Sequence, residues 1–373
     1  MLPKEMKFTP VTAKPVLGAT DSHGTIGLQT IPVISGRLSP SDRLGGILVR
    51  WDIGRYDYRV EPGLYASGKP DRASPVLVTA NYKLTFDTVR KELAGLSVWL
   101  LVLDTHGINV WCAAGKGSFG TEELVRRIKL TALERTVNHR EIILPQLGAP
   151  GVAAHLVTKE TGFTVRYGPV RAADIPAYLA NGKTKTESMK EVHFNLGDRL
   201  AVAPVEIAHA WPFLFITFIV SALLALPFDA ESRHRFIFSA LSLSGGIAAG
   251  TFLFPALLPF LPFRAFALKG AILGILWTTG AAMLSGLISP ETLRLSQSFP
   301  IATISPFMLP FLLPVLLLTV PMVSFLAMNF TGASTYTCQK GAELEVKIGL
   351  PLMLLSALAG VIFAVLSVLG RFS

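Results

Sequence analysis

One of the two cysteines in this chain, Cys112, lies between a tryptophan and a glycine-rich stretch, in NVWCAAGKGSFG at residues 109–120. A cysteine near the start of a helix is a candidate metal ligand or nucleophile, because the helix dipole favours negative charge on its sulfur. Lys116 would add to this effect, and the small residues between them would let a flat macrocycle approach closely. From the residues alone, a packed and inert cysteine is the competing interpretation.

The same stretch also contains a glycine pattern that is typical of nucleotide binding. Gly115, Gly117 and Gly120 form G-x-G-x-x-G, and Glu134 follows at a suitable distance for a dinucleotide site. In that fingerprint, however, the first glycine closely follows a strand, whereas about ten residues intervene here. A phosphate-binding P-loop does not fit, because glycine rather than serine or threonine follows Lys116.

Two near matches to a histidine-ligated corrinoid motif, D-x-H-x-x-G, offer a further interpretation. Asp104 and His106 begin one match, but Asn109 occupies the glycine position. Asp21 and His23 begin the other, and its glycine comes one residue late. The residues therefore leave three cofactor sites open: a dinucleotide loop, a histidine-ligated corrinoid and a cofactor metal bound by Cys112.

Strand and helix patterns that must position these residues alternate from residue 75 onward. Apolar runs typical of buried parallel strands occupy residues 75–81, 96–105, 140–146 and 163–170. Helical patterns follow at residues 85–95, 121–134, 151–162 and 174–182. This alternation predicts an α/β fold with a Rossmann-like open parallel sheet, covered by helices on both faces. Ligands bind outside the carboxyl ends of such strands, and the cysteine stretch follows one of these ends.

Charge and hydropathy divide the chain into two halves. Residues 1–200 contain 26 basic and 19 acidic side chains, whereas residues 201–373 contain only 8 and 6. The mean hydropathy of +0.50 is high for a soluble protein. We therefore predict an irregular N-terminal arm over residues 1–45, a cofactor-binding domain over 46–207 and an all-α transmembrane domain over 208–373.

The transmembrane domain is predicted to contain about five helices, since about 20 apolar residues are needed to cross a bilayer. The spans are expected at about residues 210–228, 236–262, 268–289, 300–329 and 348–370. The fourth should be kinked or broken, because it carries five prolines: Pro300, Pro306, Pro310, Pro314 and Pro321. We expect no charged residue inside the spans, which favours an anchor over a transporter.

Composition also restricts the compartment and the partners. Two distant cysteines cannot form a disulfide framework or supply the four thiolates of an iron–sulfur cluster. The basic residues are scattered, which indicates a surface near anionic membrane lipid and no nucleic-acid partner. The polar opening residues lack a signal-peptide pattern, so we expect a multi-pass protein of the inner (cytoplasmic) membrane with its first half in the cytoplasm.

Residues 58–124 resemble the corrinoid-binding domain of the large subunit of the corrinoid iron–sulfur protein, the methyl carrier of acetyl-CoA synthesis. The resemblance continues to about residue 207. Unlike that carrier, this chain lacks cluster cysteines and ends in membrane spans. NVWCAAGK at 109–116, followed by a five-span tail with NFTGASTYT at 329–337, is similar to the HgcA family of corrinoid proteins of mercury methylation.

This resemblance implies cobalamin as the cofactor, with Cys112 as the catalytic residue and as the lower axial ligand of its cobalt. The residues around Cys112 would frame a cap helix over the corrin: Asn109, Val110, Trp111, Ala113, Ala114, Gly115 and Lys116. Residues at strand ends and in the following loop are candidates for further corrin contacts: Thr79, Asn81, Gly117 and Gly120.

The implied activity is that of a corrinoid-dependent methyltransferase. A methyl-folate-dependent donor system would supply the methyl group, which methylcobalt(III) would transfer to Hg(II) to give methylmercury. A thiolate ligand should weaken the cobalt–carbon bond and favour release of a carbanion or radical. A ferredoxin-like iron–sulfur protein (HgcB-like) would reduce the cobalt. Cys338 is a candidate mercury receiver, although a lone exposed cysteine is more often incidental.

Two other functions remain open at this point. A membrane-bound corrinoid methyl carrier that serves another acceptor shares every feature except the acceptor. A transporter with a nucleotide-binding domain is the alternative from a different class of protein.

Overall fold

The computed structural model describes residues 31–226, 229–285, 309–333 and 339–370, and the described chain forms two compact units. The first unit contains the described residues up to Val49 together with Ile53–Val192. The second contains Arg50–Asp52 and the described residues from His193 onward.

The first unit is an α/β domain, as predicted, built on a six-stranded sheet. Its strands are β1 (Val33–Ile34), β2 (Gly63–Ser67), β3 (Val76–Ala80), β4 (Val98–Leu103), β5 (Glu141–Leu144) and β6 (Thr164–Tyr167). Their order across the sheet is β1-β2-β4-β3-β5-β6. The last four strands in the chain, which were the predicted ones, run parallel.

The prediction of an entirely parallel sheet is wrong at β2, which runs antiparallel to β4 over its full length. Its sequence, GLYAS, is short and starts with glycine, so it lacks the long apolar run that marked the other strands. The short strand β1 pairs parallel with β2. The sheet is therefore mixed, with a parallel portion that ends at one shared carboxyl edge.

Helices cover both faces of this sheet. The helices of the first unit are α1 (Pro40–Arg50), α2 (Lys83–Glu92), α3 (Val110–Lys116), α4 (Thr121–Leu130), α5 (Leu133–Thr136), α6 (Ala154–Thr161) and α7 (Ile175–Ala180). Side chains along a strand point alternately to opposite faces. In β4, Trp99, Leu101 and Leu103 thus pack with α3 to α6, whereas Val98, Leu100 and Val102 pack with α2 and α7.

Four charged side chains hold α1 against α2, in a part of the chain predicted partly as an irregular arm. Asp42 on α1 lies 2.6 Å from Lys83 and 2.7 Å from Arg90, and Asp87 pairs with the same two cations at 2.7 Å. Burial would raise the pKa of Asp42, but hydrogen bonds from Lys83, Ser39 and Arg90 outweigh it and hold the pKa well below its ordinary value. This cluster gives residues 40–45 a fixed helical structure.

Five segments of the second unit are helical, long and apolar enough to cross a membrane. Its helices are α8 (Leu196–Leu200), α9 (Ala203–Leu224), α10 (Ser232–Ala248), α11 (Phe254–Leu257), α12 (Phe266–Leu284), α13 (Leu309–Asn329) and α14 (Gln339–Leu369). The five candidate spans are Leu196–Leu224, Ser232–Leu257, Phe266–Leu284, Phe311–Gly332 and Lys340–Leu369, each of which overlaps a predicted one.

The expected break in the fourth span does not occur in the described residues, because α13 continues through Pro314 and Pro321. Pro321 cannot donate a backbone hydrogen bond to the carbonyl of Leu317. The hydroxyl of Ser356 on α14 donates to that carbonyl instead, at 3.1 Å, which is how a neighbouring helix compensates for proline in a membrane. Pro300 and Pro306 lie outside the described residues.

The helical irregularity lies instead in the second span. A π-helical turn at Ala249–Leu253 joins α10 to α11, just before Pro255. A proline ring collides with the carbonyl four residues earlier, and a wider turn removes that collision.

The expectation that the spans carry no charged residue is wrong, because Lys269 lies buried near the start of α12. Its ammonium donates to the carbonyl of Leu258 at 2.8 Å.

The Asp42 cluster leads to a prediction about local stability. We expect Asp42→Asn to lower the opening free energy of α1 by about 3 kcal/mol, because it removes one partner from a buried ion-pair cluster. Hydrogen exchange of residues 40–50, followed by mass spectrometry at pH 7, should become roughly a hundredfold faster. The exposed carboxylate Asp57 provides the control, and Asp57→Asn should leave this exchange unchanged.

The same cluster should make α1 sensitive to acid. Because the folded pKa of Asp42 is lowered, its charge stabilises the fold above the ordinary value of 3.8, and this stabilisation is lost as the pH falls through the folded value. The opening free energies of the wild type and Asp42→Asn should therefore converge below that range. A constant difference across this pH window would contradict the account.

Candidate cofactor-binding site

The short helix α3 places Cys112 at its third position, and the residues at both ends define its length. Asn109 is the N-cap, and its side-chain oxygen accepts the backbone N–H of Cys112 at 2.9 Å. Gly117 ends the helix in the left-handed conformation, with φ of 84°. The cap therefore also fixes the backbone of Cys112.

The two faces of α3 have different environments. Val110, Ala113 and Ala114 are buried in the core beneath the helix. Trp111 is 40% exposed, and the thiol-bearing Cys112 is partly exposed. Cys112 is thus not a residue of the buried core.

Close backbone packing explains the small residues on the buried face. The short 3-10 segment Gln146–Gly151 lies behind α3, where a Cβ atom on Gly151 would be 2.2 Å from the carbonyl oxygen of Phe119 and 3.0 Å from the Cα of Ala114. A Cβ on Gly148 would lie 2.5 Å from the Phe119 ring. Ala113 and Ala114, predicted to frame the corrin, therefore face the protein interior.

The outer face of α3 is open beside Cys112. Nothing lies within 4 Å of a Cβ built on Gly115 or on Gly117, and Lys116 between them is exposed. Gly120 differs, because its Cβ would lie 2.5 Å from the carbonyl oxygen of Gly117. Of the predicted glycines, Gly115 and Gly117 border open space, whereas Gly120 forms a tight turn.

These positions do not form a dinucleotide loop. Gly115 lies inside α3, Gly117 at its end and Gly120 at the start of α4, whereas β4 already ends at Leu103. The fingerprint requires its first glycine in the turn directly after the strand. The three glycines thus belong to a helix and its connection to the next helix.

A buried asparagine holds the loop that leads into α3. Asn81, predicted as a corrin contact, is only 1% exposed. Its side-chain oxygen accepts the backbone N–H groups of Thr105 and Gly107, each at 3.0 Å, and its amide donates to Asp104 at 3.1 Å. Asn81 therefore acts within the protein, by fixing the chain that positions Cys112.

The same loop bears on the histidine-ligated alternative. The side chain of His106 is 73% exposed at the loop tip, and Asn109 caps α3 where the motif would need glycine. The second near match, at Asp21 and His23, lies outside the described residues.

Two buried hydroxyl groups near this edge have no hydrogen-bond partner within the part of the chain that the structure describes: Thr79 and Ser118. Thr79 lies two residues after Leu77 along β3 and therefore points to the same side of the sheet, the α2 side, away from α3. Ser118, in the connection between α3 and α4, was missed by the sequence analysis. The sequence alone does not show that these two hydroxyl groups are buried without a hydrogen-bond partner.

An open cleft of about 220 Å³ at the same edge was also missed. Its lining residues are Arg59, Val60, Glu61, Pro62, Asn81 and Asp104. Pockets that enclose a drug-sized ligand measure about 300–1,000 Å³. This cleft alone is therefore too small to enclose a large macrocycle.

Glu123 braces the wall of this cleft. It accepts the backbone N–H of Asp104 at 2.8 Å and pairs with Arg127 at 2.7 Å. Arg127 also donates to the carbonyl of Pro62, at 3.2 Å. This network ties α4 to the loop before α3 and to the chain that enters β2.

Among the described residues, no three His, Cys, Asp or Glu side chains come together in a way that could hold a metal ion.

Together, the fold and the open cysteine-bearing helix define the first unit as an α/β domain with a candidate ligand site at the carboxyl edge of its sheet. Residues 54–179 match the family model of the CO dehydrogenase/acetyl-CoA synthase delta subunit. This range includes every predicted site residue and ends before the apolar helices, short of the expected limit near residue 207.

Curated relatives match the same part of the chain. The acetyl-CoA decarbonylase/synthase complex subunit gamma of Archaeoglobus fulgidus is 37% identical over 127 residues, and that of Methanopyrus kandleri is 38% identical over 127 residues. Both alignments cover 34% of this chain and 27% of the relative. The chain thus spans only about a quarter of the length of these relatives.

The two sides of α3 allow a matched test. We expect Gly151→Ala to destabilise the first unit by about 3 kcal/mol, because its Cβ meets backbone atoms that cannot move away easily. Gly115→Ala should instead stabilise it by about 0.5–1 kcal/mol, since alanine favours a helix and the site is open. Pulse proteolysis of the detergent-solubilised chain in increasing urea measures both effects. If both substitutions destabilised the first unit equally, the surface beside Gly115 would not be open.

Proposed function

We propose that this chain is a membrane-anchored, corrinoid-dependent methyltransferase that methylates Hg(II), as its resemblance to the HgcA family implies. The observation that carries the proposal is the partly exposed Cys112 on a capped helix at the carboxyl edge of the sheet, with open space beside it at Gly115. The match of residues 54–179 to subunits of acetyl-CoA synthesis supports a corrinoid as the ligand.

In this proposal, cobalamin binds on the open face of α3. On that face, Trp111 provides an aromatic ring, Cys112 a sulfur and Lys116 a cation. Gly115 and Gly117 leave the surface there without side chains. Asn109 holds the helix start, while Asn81 and Gly120 hold the surrounding chain. When bound, the corrinoid supplies a cobalt centre that accepts a methyl group and gives it up again.

Cys112 would provide the lower ligand to cobalt. A thiolate is a soft and strongly donating ligand, whereas water or imidazole donates less. Hg(II) needs a methyl group that leaves with its bonding electrons or as a radical. Strong donation from the Cys112 sulfur would favour that mode of release over transfer as a cation.

The proposed activity requires partners. The chain has only two cysteines, so electrons for cobalt must come from elsewhere, and we assign this role to a ferredoxin-like iron–sulfur protein (HgcB-like). A methyl-folate-dependent system supplies the methyl group. The gamma-subunit relatives are named as subunits of a complex, which supports the proposal that this chain also acts together with partner proteins.

The apolar helices provide the anchor in this proposal. Five helices long and apolar enough to cross a membrane follow the α/β domain, and we place them in the inner (cytoplasmic) membrane with the corrinoid domain in the cytoplasm. There the domain has access to folate and to reduced iron–sulfur proteins.

A second candidate function is a corrinoid methyl carrier that serves a different acceptor. It is favoured by the identity with acetyl-CoA decarbonylase/synthase subunits, whose name specifies another reaction. The site residues would be the same, and only the acceptor would differ. An assay of methylmercury formation from Hg(II) by the cobalamin-loaded protein separates the two functions. Formation of methylmercury supports the first function, and its absence in a protein that does bind a methyl group supports the second.

Substitution of Cys112 tests the proposal. Cys112→Ala and Cys112→Thr should still bind cobalamin, because the remaining contacts with the ring persist. Both should change the cobalt(III) absorption spectrum and abolish methylation of Hg(II) by cells that also express the iron–sulfur partner. Cys112→His should retain only a small activity, since imidazole is neutral and a weaker donor.

The other cysteine provides the control. Cys338 lies outside the described residues, and Cys338→Ala should have a much milder effect than any substitution of Cys112. Wild-type activity with an unchanged spectrum in Cys112→Ala would show that Cys112 is a packed residue without a role in the chemistry.

A further inference from the structure

The helix α1 has one face that packs on the protein and one that does not. Gly45, Gly46 and Val49 are buried, and a Cβ on Gly45 would lie 2.7 Å from the hydroxyl of Tyr58. On the opposite face, Leu44 is 56% and Ile47 is 55% exposed. Large aliphatic side chains at this spacing form an apolar stripe along an amphipathic helix.

The apolar exposure continues beyond the helix. The side chains of Trp51, Ile53 and Tyr56 are also exposed, and that of Tyr56 is 80% exposed. In the rest of the α/β domain such side chains occur singly, as at Leu130 and Leu156. A concentration of exposed aliphatic and aromatic residues in one short segment indicates an interaction surface.

The charge around this segment is basic. Residues 37–59 contain five arginines and three aspartates. Asp42 is neutralised within the protein by Lys83 and Arg90. Arg43 is exposed next to the apolar stripe, and Arg55 lies between Ile53 and Tyr56. Apolar and aromatic side chains flanked by arginine are the composition of helices that lie in the interface of anionic membranes.

The end of α1 belongs to the unit that contains the apolar helices, and the chain returns to the first unit at Ile53. Arg50–Asp52 belong to that second unit, in which the carboxylate of Asp52 lies 2.9 Å from the imidazole of His209. His209 is close to the point where α9 begins to expose large apolar side chains, starting at Trp211. Tryptophan at the end of an apolar helix typically marks the membrane surface.

We propose that α1 binds the anionic headgroup surface of the membrane through Arg43, Leu44 and Ile47, which we call the α1 surface. Leu44 and Ile47 enter the boundary between headgroups and acyl chains, and Arg43 and Arg55 contact lipid phosphates. This inference goes beyond methyl transfer, and it holds whether or not the α/β domain binds a corrinoid.

Depth measurements on the full-length chain test the proposal. In a Cys112→Ala, Cys338→Ala background, a nitroxide is attached to Ile47→Cys or, as the control, to Lys159→Cys on the exposed side of α6. Each protein is placed in detergent, in phosphatidylcholine liposomes and in liposomes that also contain phosphatidylglycerol. Accessibility to oxygen and to a water-soluble nickel complex then gives the depth of each label. Elution of each labelled protein as the unlabelled chain in detergent establishes that it is folded.

With phosphatidylglycerol present, the label at position 47 should lie about 5–10 Å inside the headgroup boundary, whereas the label at 159 stays in water. Without anionic lipid, or with Arg43→Gln and Arg55→Gln, the label at 47 should become shallower. Full exposure of position 47 to water in anionic liposomes would overturn the proposal. Low accessibility of position 47 to both oxygen and the nickel complex would also overturn it, because acyl chains admit oxygen, so protein would then cover this face.

Discussion

The orientation of Cys112 depends on one close contact, the packing of α3 against the Gln146–Gly151 segment. Glycine at 151 allows the backbone behind α3 to reach Phe119 and Ala114, at a position where a Cβ would lie 2.2 Å from a carbonyl oxygen. This contact buries the alanine side of the helix. Because a helix presents its opposite side one half-turn away, the sulfur and Gly115 are left facing outward.

A seven-residue helix is too short to be stable by itself, so the surrounding chain must hold it in place. Asn109 caps its first turn, and Asn81 fixes the loop that precedes it from the end of the neighbouring strand. Glu123 connects that loop to α4. These contacts fix the candidate site on its buried side, whereas its outer side, at Gly115, is open.

Much of the α/β domain could be predicted from the sequence, because buried parallel strands appear as continuous apolar runs and their helices as regular patterns between them. The strand β2 was not recognised, since GLYAS is short and its pairing with β4 is set by tertiary contacts. In the site, the position of Cys112 near a helix start was predictable from its neighbours. The division of that helix into buried alanines and an open Gly115 was not, because it depends on Gly148 and Gly151, more than thirty residues later in the chain.

We propose that the sulfur of Cys112 binds the metal of a corrinoid on the open face of α3. X-ray absorption at the cobalt edge of the purified, cobalamin-loaded full-length chain tests it most directly, because the signal reports the atoms bonded to cobalt and does not depend on activity. The account predicts one sulfur neighbour in the wild type and its loss in Cys112→Ala, with cobalamin still bound. A cobalt environment of nitrogen, oxygen and carbon alone in the wild type, unchanged in the variant, would contradict it.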